Sequence, residues 1–373
     1  MAVRLFMRKS NSALFGLLAL LLSNGTLAHS EHDKARFVSP TGKDIGQCDN
    51  VLRPCNSIAF AVKQANKGDR ILLASGQYEI SSSDDLFYLQ SALVPILGGY
   101  NRFDHYQSQS PATNVTTLTN VPLEMAEALR KKGFRVLADG KSLAKNTALR
   151  KKLSDYHRLS QRQQDVVCQD GMADVFECSN VDLLSHLPLT QMSSRPGAGN
   201  DIWGHVDLNN NREYAIMGVQ NGTIIVDVTE PTNPVEVGTI DGVSSSWRDV
   251  KVYQYFNQEL KVWQAYAYVT TEGTNSGATD FVTIIDLNSL PNSVSLVDKS
   301  NVVRTAHNVY ISNVDYSLNI ALPEKEPVLQ LVGTNDKSGA FQSYSLSNPA
   351  TLTQGSNQYY GSGYTHDGAS LSI

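Results

Sequence analysis

The pattern of apolar and polar positions divides the chain into three kinds of sequence. Ser57-Ile58-Ala59-Phe60-Ala61-Val62-Lys63-Gln64-Ala65 places its apolar residues at helical spacing, and Lys67 to Tyr78 follows as a turn, a short β run and a second turn. Leu93-Val94-Pro95-Ile96-Leu97-Gly98-Gly99-Tyr100 supplies one more strand. Helical signals then take over. Pro122 to Arg130 opens with Pro at a helix N-terminus and closes on basic residues, with Gly133 as its stop. Phe134 to Leu137 is a short strand, and Ser142 to Gln164, free of Gly and Pro, predicts a longer helix. Beyond the loop Arg195-Pro196-Gly197-Ala198-Gly199-Asn200 the period becomes two. Arg212 to Val219 alternates as a strand, Asn221-Gly222 signals a hairpin, and Thr223 to Val228 is the next strand, closed by Thr232-Asn233-Pro234.

This β pattern restarts. Trp247-Arg248-Asp249-Val250-Lys251-Val252 is matched by Ala306-His307-Asn308-Val309-Tyr310-Ile311 and again by Thr365-His366-Asp367-Gly368-Ala369-Ser370, so that Asp249, Asn308 and Asp367 stand 59 residues apart. A second marker, Asp227, Asp286 and Ser345, keeps the same step of 59. Two markers on one period indicate an array of repeated β units, each of several short antiparallel strands, which is the profile of a β-propeller blade. The predicted fold class is therefore mainly β. A partial propeller occupies 166–373, preceded by a small β segment at 36–120 and a helical spacer at 121–165.

Composition adds a compartment. The first residues carry Arg4, Arg8 and Lys9, an apolar run from Ala13 to Leu22, and small residues at Thr26-Leu27-Ala28. This is the layout of a secretory signal peptide over 1–28, too short to anchor in a bilayer. Export permits disulfides, and the four cysteines fall as two close pairs, Cys48 with Cys55 and Cys168 with Cys178. The net charge of -5 gives no basic field for nucleic acid. The eleven Lys and Arg between Arg130 and Arg162 read as a solvated helix face. No later segment is apolar enough to cross a membrane.

Two resemblances refine the picture. Phe37-Val38-Ser39-Pro40-Thr41-Gly42 and the "GD-x-I-x-x-A-x-G-x-Y" stretch from Gly68 to Tyr78 resemble the N-terminal cap of right-handed parallel β-helix proteins. The pattern does not continue into the coils that a carbohydrate-cleaving groove needs. Asn200-Asp201-Ile202-Trp203-Gly204, Glu213-Tyr214-Ala215, Asp227 to Pro234, Trp247 to Tyr253, Ala306-His307-Asn308 and Tyr364-Thr365-His366-Asp367 resemble the choice-of-anchor B family over 165–373, together with the lead-in from Cys168 to Ser185. That resemblance implies an exported bacterial protein of LVIVD-type propeller repeats, displayed at the cell surface by a variable C-terminal tail. It implies no defined activity. Three repeats are legible, whereas propellers close with about four to eight blades. The sequence is accordingly expected to be part of a longer protein, with further blades and the anchor beyond it.

If the restart motif borders a propeller axis, Arg248, Asp249, His307, Asn308, His366 and Asp367 form a ring, with His205 of Trp203-Gly204-His205 matched to Asp249. Such a ring either binds a ligand or fixes the register of neighbouring blades through hydrogen bonds. Trp203 and Trp247 belong to the motif and are expected in the core. Asp207-Leu208-Asn209-Asn210-Asn211 starts like a calcium loop, but Arg212 and Gly218 stand where Gly and Glu are needed, so a β-turn is expected. Asp227 and Asp286 are expected as Asx-turn residues. The leading expectation is a non-enzymatic, exported binding or adhesion module without cofactor, its partner an extracellular protein or glycan. The alternative is a metal-assisted hydrolase or lyase holding a divalent ion on His307, His366 and Asp367.

Overall fold

A computed structural model describes residues 34–66, 68–80, 83–90, 94–137, 151, 154–155, 157–272, 278–335, 339–354 and 363–369. The expected signal peptide and most of the 142–164 helix lie outside the described residues. The architecture is mainly β, and no described helix is long and apolar enough to cross a membrane.

The N-terminal part builds two parallel sheets. The elements run β1 (Ala35–Val38), α1 (Ile58–Gln64), β2 (Arg70–Ala74), β3 (Gly76–Glu79), α2 (Ser83–Gln90), β4 (Ile96–Tyr100), β5 (Thr116–Thr119), α3 (Ala126–Lys131) and β6 (Phe134–Leu137). One sheet is ordered β1-β2-β4 and the other β3-β5-β6. Every pairing in them is parallel, with Phe37 opposite Leu72 and Tyr78 opposite Leu118. Val38, Ile71, Leu73, Ile96, Leu118 and Phe134 fill the space between the sheets. The Gly68-Asp69 motif has a clear role: the buried Asp69 accepts from Arg36 Nε (2.8 Å) and Nη2 (2.7 Å) and from the Lys34 N–H (2.8 Å). A buried charge persists only when paired and hydrogen-bonded, so this contact locks β1 beside β2. Both expected cysteine pairs form disulfides.

The stretch 121–165 does not behave as one spacer. Val121, Met125, Leu129 and Phe134 are buried in the N-terminal core, and β6 continues its sheet, so the N-terminal unit runs to Leu137. The described part of the basic helix is helical as far as Leu159. Gln163 and Gln164, expected as its end, instead open strand β7 (Gln163–Val166), paired antiparallel with β10 (Leu183–His186). Side-chain helix preference amounts to a few tenths of a kcal/mol per residue, and strand pairing overrides it. A short hairpin, β8 (Met172–Ala173) and β9 (Phe176–Glu177), lies between them.

Three antiparallel sheets follow. The first is β11 (Gly199–Asp207), β12 (Arg212–Val219), β13 (Gly222–Asp227) and β14 (Val235–Asp241), in that spatial order. The second is β15 (Val250–Asn257), β16 (Val262–Thr270), β17 (Val282–Asp286) and β18 (Ser295–Ser300). The third is β19 (Asn308–Ser312), β22 (Val328–Val332), β23 (Gln342–Ser345) and β24 (Thr353–Gln354). The hairpin β20 (Val314–Asp315) and β21 (Ile320–Ala321) leaves the third sheet and pairs with β15 through Ile320 and Gln254. The sheets stack on one another because their strands bury both faces. Ile216, Ile225, Val252 and Ala267 close the space between the first and second sheets, while Tyr268, Ile284, Ile311 and Leu331 close that between the second and third. The open face of the first sheet is covered by Leu187, Leu189 and Met192.

The second repeat marker is a turn device. Asp227 accepts the Thr229 N–H (3.0 Å), Asp286 the Asn288 N–H (2.6 Å) and Ser345 the Ser347 N–H (3.1 Å). Each ends the third strand of its sheet in the same Asx or Ser turn. Asp207 likewise caps its own turn, accepting from the Asn209 N–H at 2.9 Å, as the β-turn reading expects.

Candidate functional site: a recess at the start of the inner strands

Strand register decides which residues are equivalent. Trp203 pairs with Ile216 and that with Ile225; Lys251 pairs with Tyr268 and Ile284; Tyr310 pairs with Gln330 and Ser343. Two residues earlier, at the start of or just before the first strand of each sheet, stand Asp201, Asp249 and Asn308, and Asp367 follows Asn308 at the same 59-residue step. The member of the first sheet is therefore Asp201. His205 lies four residues further on, at the level of Tyr253, and its matching to Asp249 is corrected. It is buried, stacked on Tyr214 with ring centroids 6.1 Å apart. Burial pushes its pKa down to about 4, against the pull of Asp207. Asp201 escaped the sequence pattern because the two-residue turn 220–221 of the first sheet becomes the loop 271–281 in the second, which breaks the 59-residue step. A bulge between Gly199 and Ile202 also shifts the register there.

The paired positions divide the work. Those preceding the series make contacts between successive sheets and the segments that flank them. The Arg248 guanidinium, buried, meets Asp280 at 3.0 Å, the Val219 carbonyl at 3.0 Å and Thr271 Oγ1 at 2.6 Å. His307, fully buried, has Nδ1 at 3.0 Å from Glu272 Oε1 and Nε2 at 3.0 Å from His366 Nε2. The series itself also reaches forward. Asp249 Oδ2 accepts the Val309 N–H (2.7 Å), and Asn308 Nδ2 donates to the His366 carbonyl (3.2 Å) and to Asp367 Oδ1. Asp249 thus ties the start of the second sheet to β19, and Asn308 ties β19 to the segment at His366 and Asp367.

What these groups leave open is a recess of about 420 Å³. Its walls carry Asp201, Asp249 and Asp367, the indoles of Trp203 and Trp247, and Lys251. Both tryptophans are half-buried on this wall; Trp203 packs against the core between the first and second sheets, as expected, while Trp247 belongs to no core cluster. Trp247 stacks on His307 with centroids 4.2 Å apart, and its Nε1 donates to the His307 carbonyl at 2.9 Å. Lys251 Nζ lies 2.7 Å from Asp249 Oδ1, 4.0 Å from Asp201 Oδ2 and 4.2 Å above the Trp203 ring. Burial first, and then the hydrogen bond with Asp201, push the Asp249 pKa up to about 7, while Lys251 and the Val309 N–H oppose them.

Of the expected ring, Arg248, Asp249, Asn308 and Asp367 line the recess, while His307 stands behind Trp247 and His366 bonds to it. The alternative metal set, His307, His366 and Asp367, comes together through contacts of 3.0 Å between the imidazoles and 3.2 Å from His366 Nδ1 to Asp367 Oδ2, with their atoms spent on one another. Among the described residues no three His, Cys, Asp or Glu side chains are placed to hold an ion, and the two imidazoles face each other through an N–H···N contact. Comparison with protein-family models finds no match for this chain, and comparison with curated proteins finds none.

Proposed function

We propose that this chain is an exported surface protein of the choice-of-anchor B type, in which three sheets are blades of a β-propeller and the recess at their inner strands binds an external partner. The single observation that carries the binding reading is convergence. Equivalent positions of successive repeats supply Asp201, Asp249, Asn308 and Asp367 to one cavity, beside two half-buried tryptophans. Asp201 and Asp367 keep much of their surface open, at 44% and 76% side-chain exposure, whereas Asp249 is tied into the fold. The propeller reading is supported by three consecutive antiparallel sheets that share apolar cores, first with second and second with third. Export is supported by the leader-like first residues and two disulfides.

The test is capture. Purified protein is exposed to immobilised extracellular proteins and glycans beside an Asp201→Ala/Asp367→Ala variant. Both substitutions fall at exposed side chains, so the circular dichroism spectrum is expected to match wild type while capture weakens about tenfold or more, roughly 1.4 kcal/mol. Undiminished capture by the variant, or none by the wild type, overturns the reading.

A further inference from the structure

We infer that residues 363–369 form a strap docked beside the recess by one shared proton, so that pH decides whether Asp367 stands on the recess wall. This rests on the reading of the recess as a binding site only for its consequence; the docking is a property of the chain alone.

The strap has a built seat. The Thr365 N–H donates to the Gly339 carbonyl at 2.9 Å, and Asn308 Nδ2 donates to the His366 carbonyl at 3.2 Å and to Asp367 Oδ1. Tyr364 passes over two glycines of positive φ, Gly333 (63°) and Gly339 (85°), where an added Cβ would fall against its hydroxyl (2.6 Å) and its ring. Only glycine admits that approach.

Four ionisable groups run in series from the interior to the surface. Glu272 Oε1 meets His307 Nδ1 at 3.0 Å, His307 Nε2 meets His366 Nε2 at 3.0 Å, and His366 Nδ1 meets Asp367 Oδ2 at 3.2 Å. His307 is fully buried, whereas the His366 and Asp367 side chains are 55% and 76% exposed. Each of the three contacts needs one hydrogen. Two neutral imidazoles between two carboxylates bring only two, since a neutral ring has one donor and one acceptor nitrogen. One contact is then lone pair against lone pair. A single added proton supplies the third hydrogen and places one positive charge between two negative ones, which strengthens the bonds to both carboxylates. A second added proton makes every ring nitrogen a donor and sets two N–H groups head to head at the Nε2 contact, with like charges adjacent. The strap is therefore held best in the singly protonated state and is loosened by base and by acid.

Other groups pack around the pair. The Tyr364 ring lies 6.2 Å from each imidazole, and burial first, then Glu272 and Asp367, push its hydroxyl above the usual phenol range. Trp247, stacked on His307, carries no charge. Arg248 reaches Thr271, next to Glu272, and is paired with Asp280 at 3.0 Å. Asp249, raised to about 7, holds the Val309 N–H beside Asn308 and pairs with Lys251, so it is the control.

The test is amide hydrogen exchange of the peptide covering 363–369 in the full chain, expressed as protection relative to the intrinsic rate at each pH. The range runs from about pH 5 to about pH 9, above free carboxyls and around free imidazole. Wild type is expected to show a maximum, with a fall of about tenfold on either side, as the loss of a charge-assisted hydrogen bond implies. Asp367→Asn, whose amide donates to His366 Nδ1 while its oxygen keeps Asn308, needs no added proton and is expected to lose the basic limb alone. His366→Gln is expected to lose both limbs, and Asp249→Asn to keep both. Should the strap of His366→Gln be unprotected at every pH, Asp367→Asn decides. A flat or monotonic wild-type profile, or a basic limb that survives in Asp367→Asn, overturns the inference. Exchange is read with no partner present. A maximum in protein that captures nothing would keep the strap and remove the binding reading, while a flat profile in protein that captures a partner would remove the strap alone.

Discussion

Asp249 sits at the start of the second inner strand with three hydrogen bonds to its carboxylate, from the Val250 N–H (2.8 Å), the Val309 N–H (2.7 Å) and Lys251 Nζ (2.7 Å). Its pKa is nevertheless raised to about 7, because burial and the neighbouring Asp201 outweigh those donors. A carboxyl whose pKa is higher in the folded chain than in the unfolded one, about 3.9, binds more protons when folded between those values. Its contribution to stability is therefore full below about pH 4 and is lost as pH rises to about 7. Asp249→Asn removes that titration. Urea denaturation followed by tryptophan fluorescence is expected to show the wild type losing stability relative to the variant as pH climbs through this window. A relative gain over the same range would contradict the assignment.

At the scale of elements, the β20–β21 hairpin carries a comparable load through one side chain. Gln254, almost fully buried, donates from Nε2 to the Val206 carbonyl (2.9 Å) and the Leu318 carbonyl (2.5 Å), joining the first sheet, the second sheet and the hairpin. Trp203 and Gly204 are tied to the same hairpin through Asn319, at 3.0 and 2.9 Å. Gln254→Ala takes the donor away from two part-buried carbonyls, so a loss of about 1–3 kcal/mol is expected, measured as a shift in the denaturation midpoint. A change within a few tenths would mean that the hairpin is held by other contacts. None of this was legible in the sequence, since a lone Gln in an alternating strand carries no period. The 59-residue spacing of Asp227, Asp286 and Ser345 was legible because each closes the same local turn at the end of its strand. Asp201 was hidden by a change in loop length upstream of the marker, and His205 was matched in its place because Trp203-Gly204-His205 looks like Trp247-Arg248-Asp249. The turn at Gln163, where a helical composition becomes a strand, depends on β10, twenty residues later.

The whole molecule has two kinds of core that do not mix. One set of buried residues runs from Phe37 to Phe134, in parallel sheets; the others run from Met192 to Leu352, in antiparallel ones. No core cluster among the described residues draws from both. The divide falls between Leu137, in the last parallel strand, and Arg162, which donates to Asn233 Oδ1 (2.9 Å) and the Pro234 carbonyl (2.7 Å) of the first antiparallel sheet. Cooperativity follows shared cores, so the two parts are expected to unfold in separate transitions. Trp203, Trp247 and Trp263 all belong to the antiparallel part, which makes their fluorescence blind to the other. Leu118→Ala removes a fully buried side chain from the parallel core, at a cost of about 2–5 kcal/mol. Far-ultraviolet circular dichroism should then show an earlier transition while the fluorescence midpoint stays in place. Tyr268→Ala, in the core between the second and third sheets, should do the opposite and move the fluorescence midpoint. If Leu118→Ala shifts both probes together, the two cores are coupled and the chain unfolds as one unit.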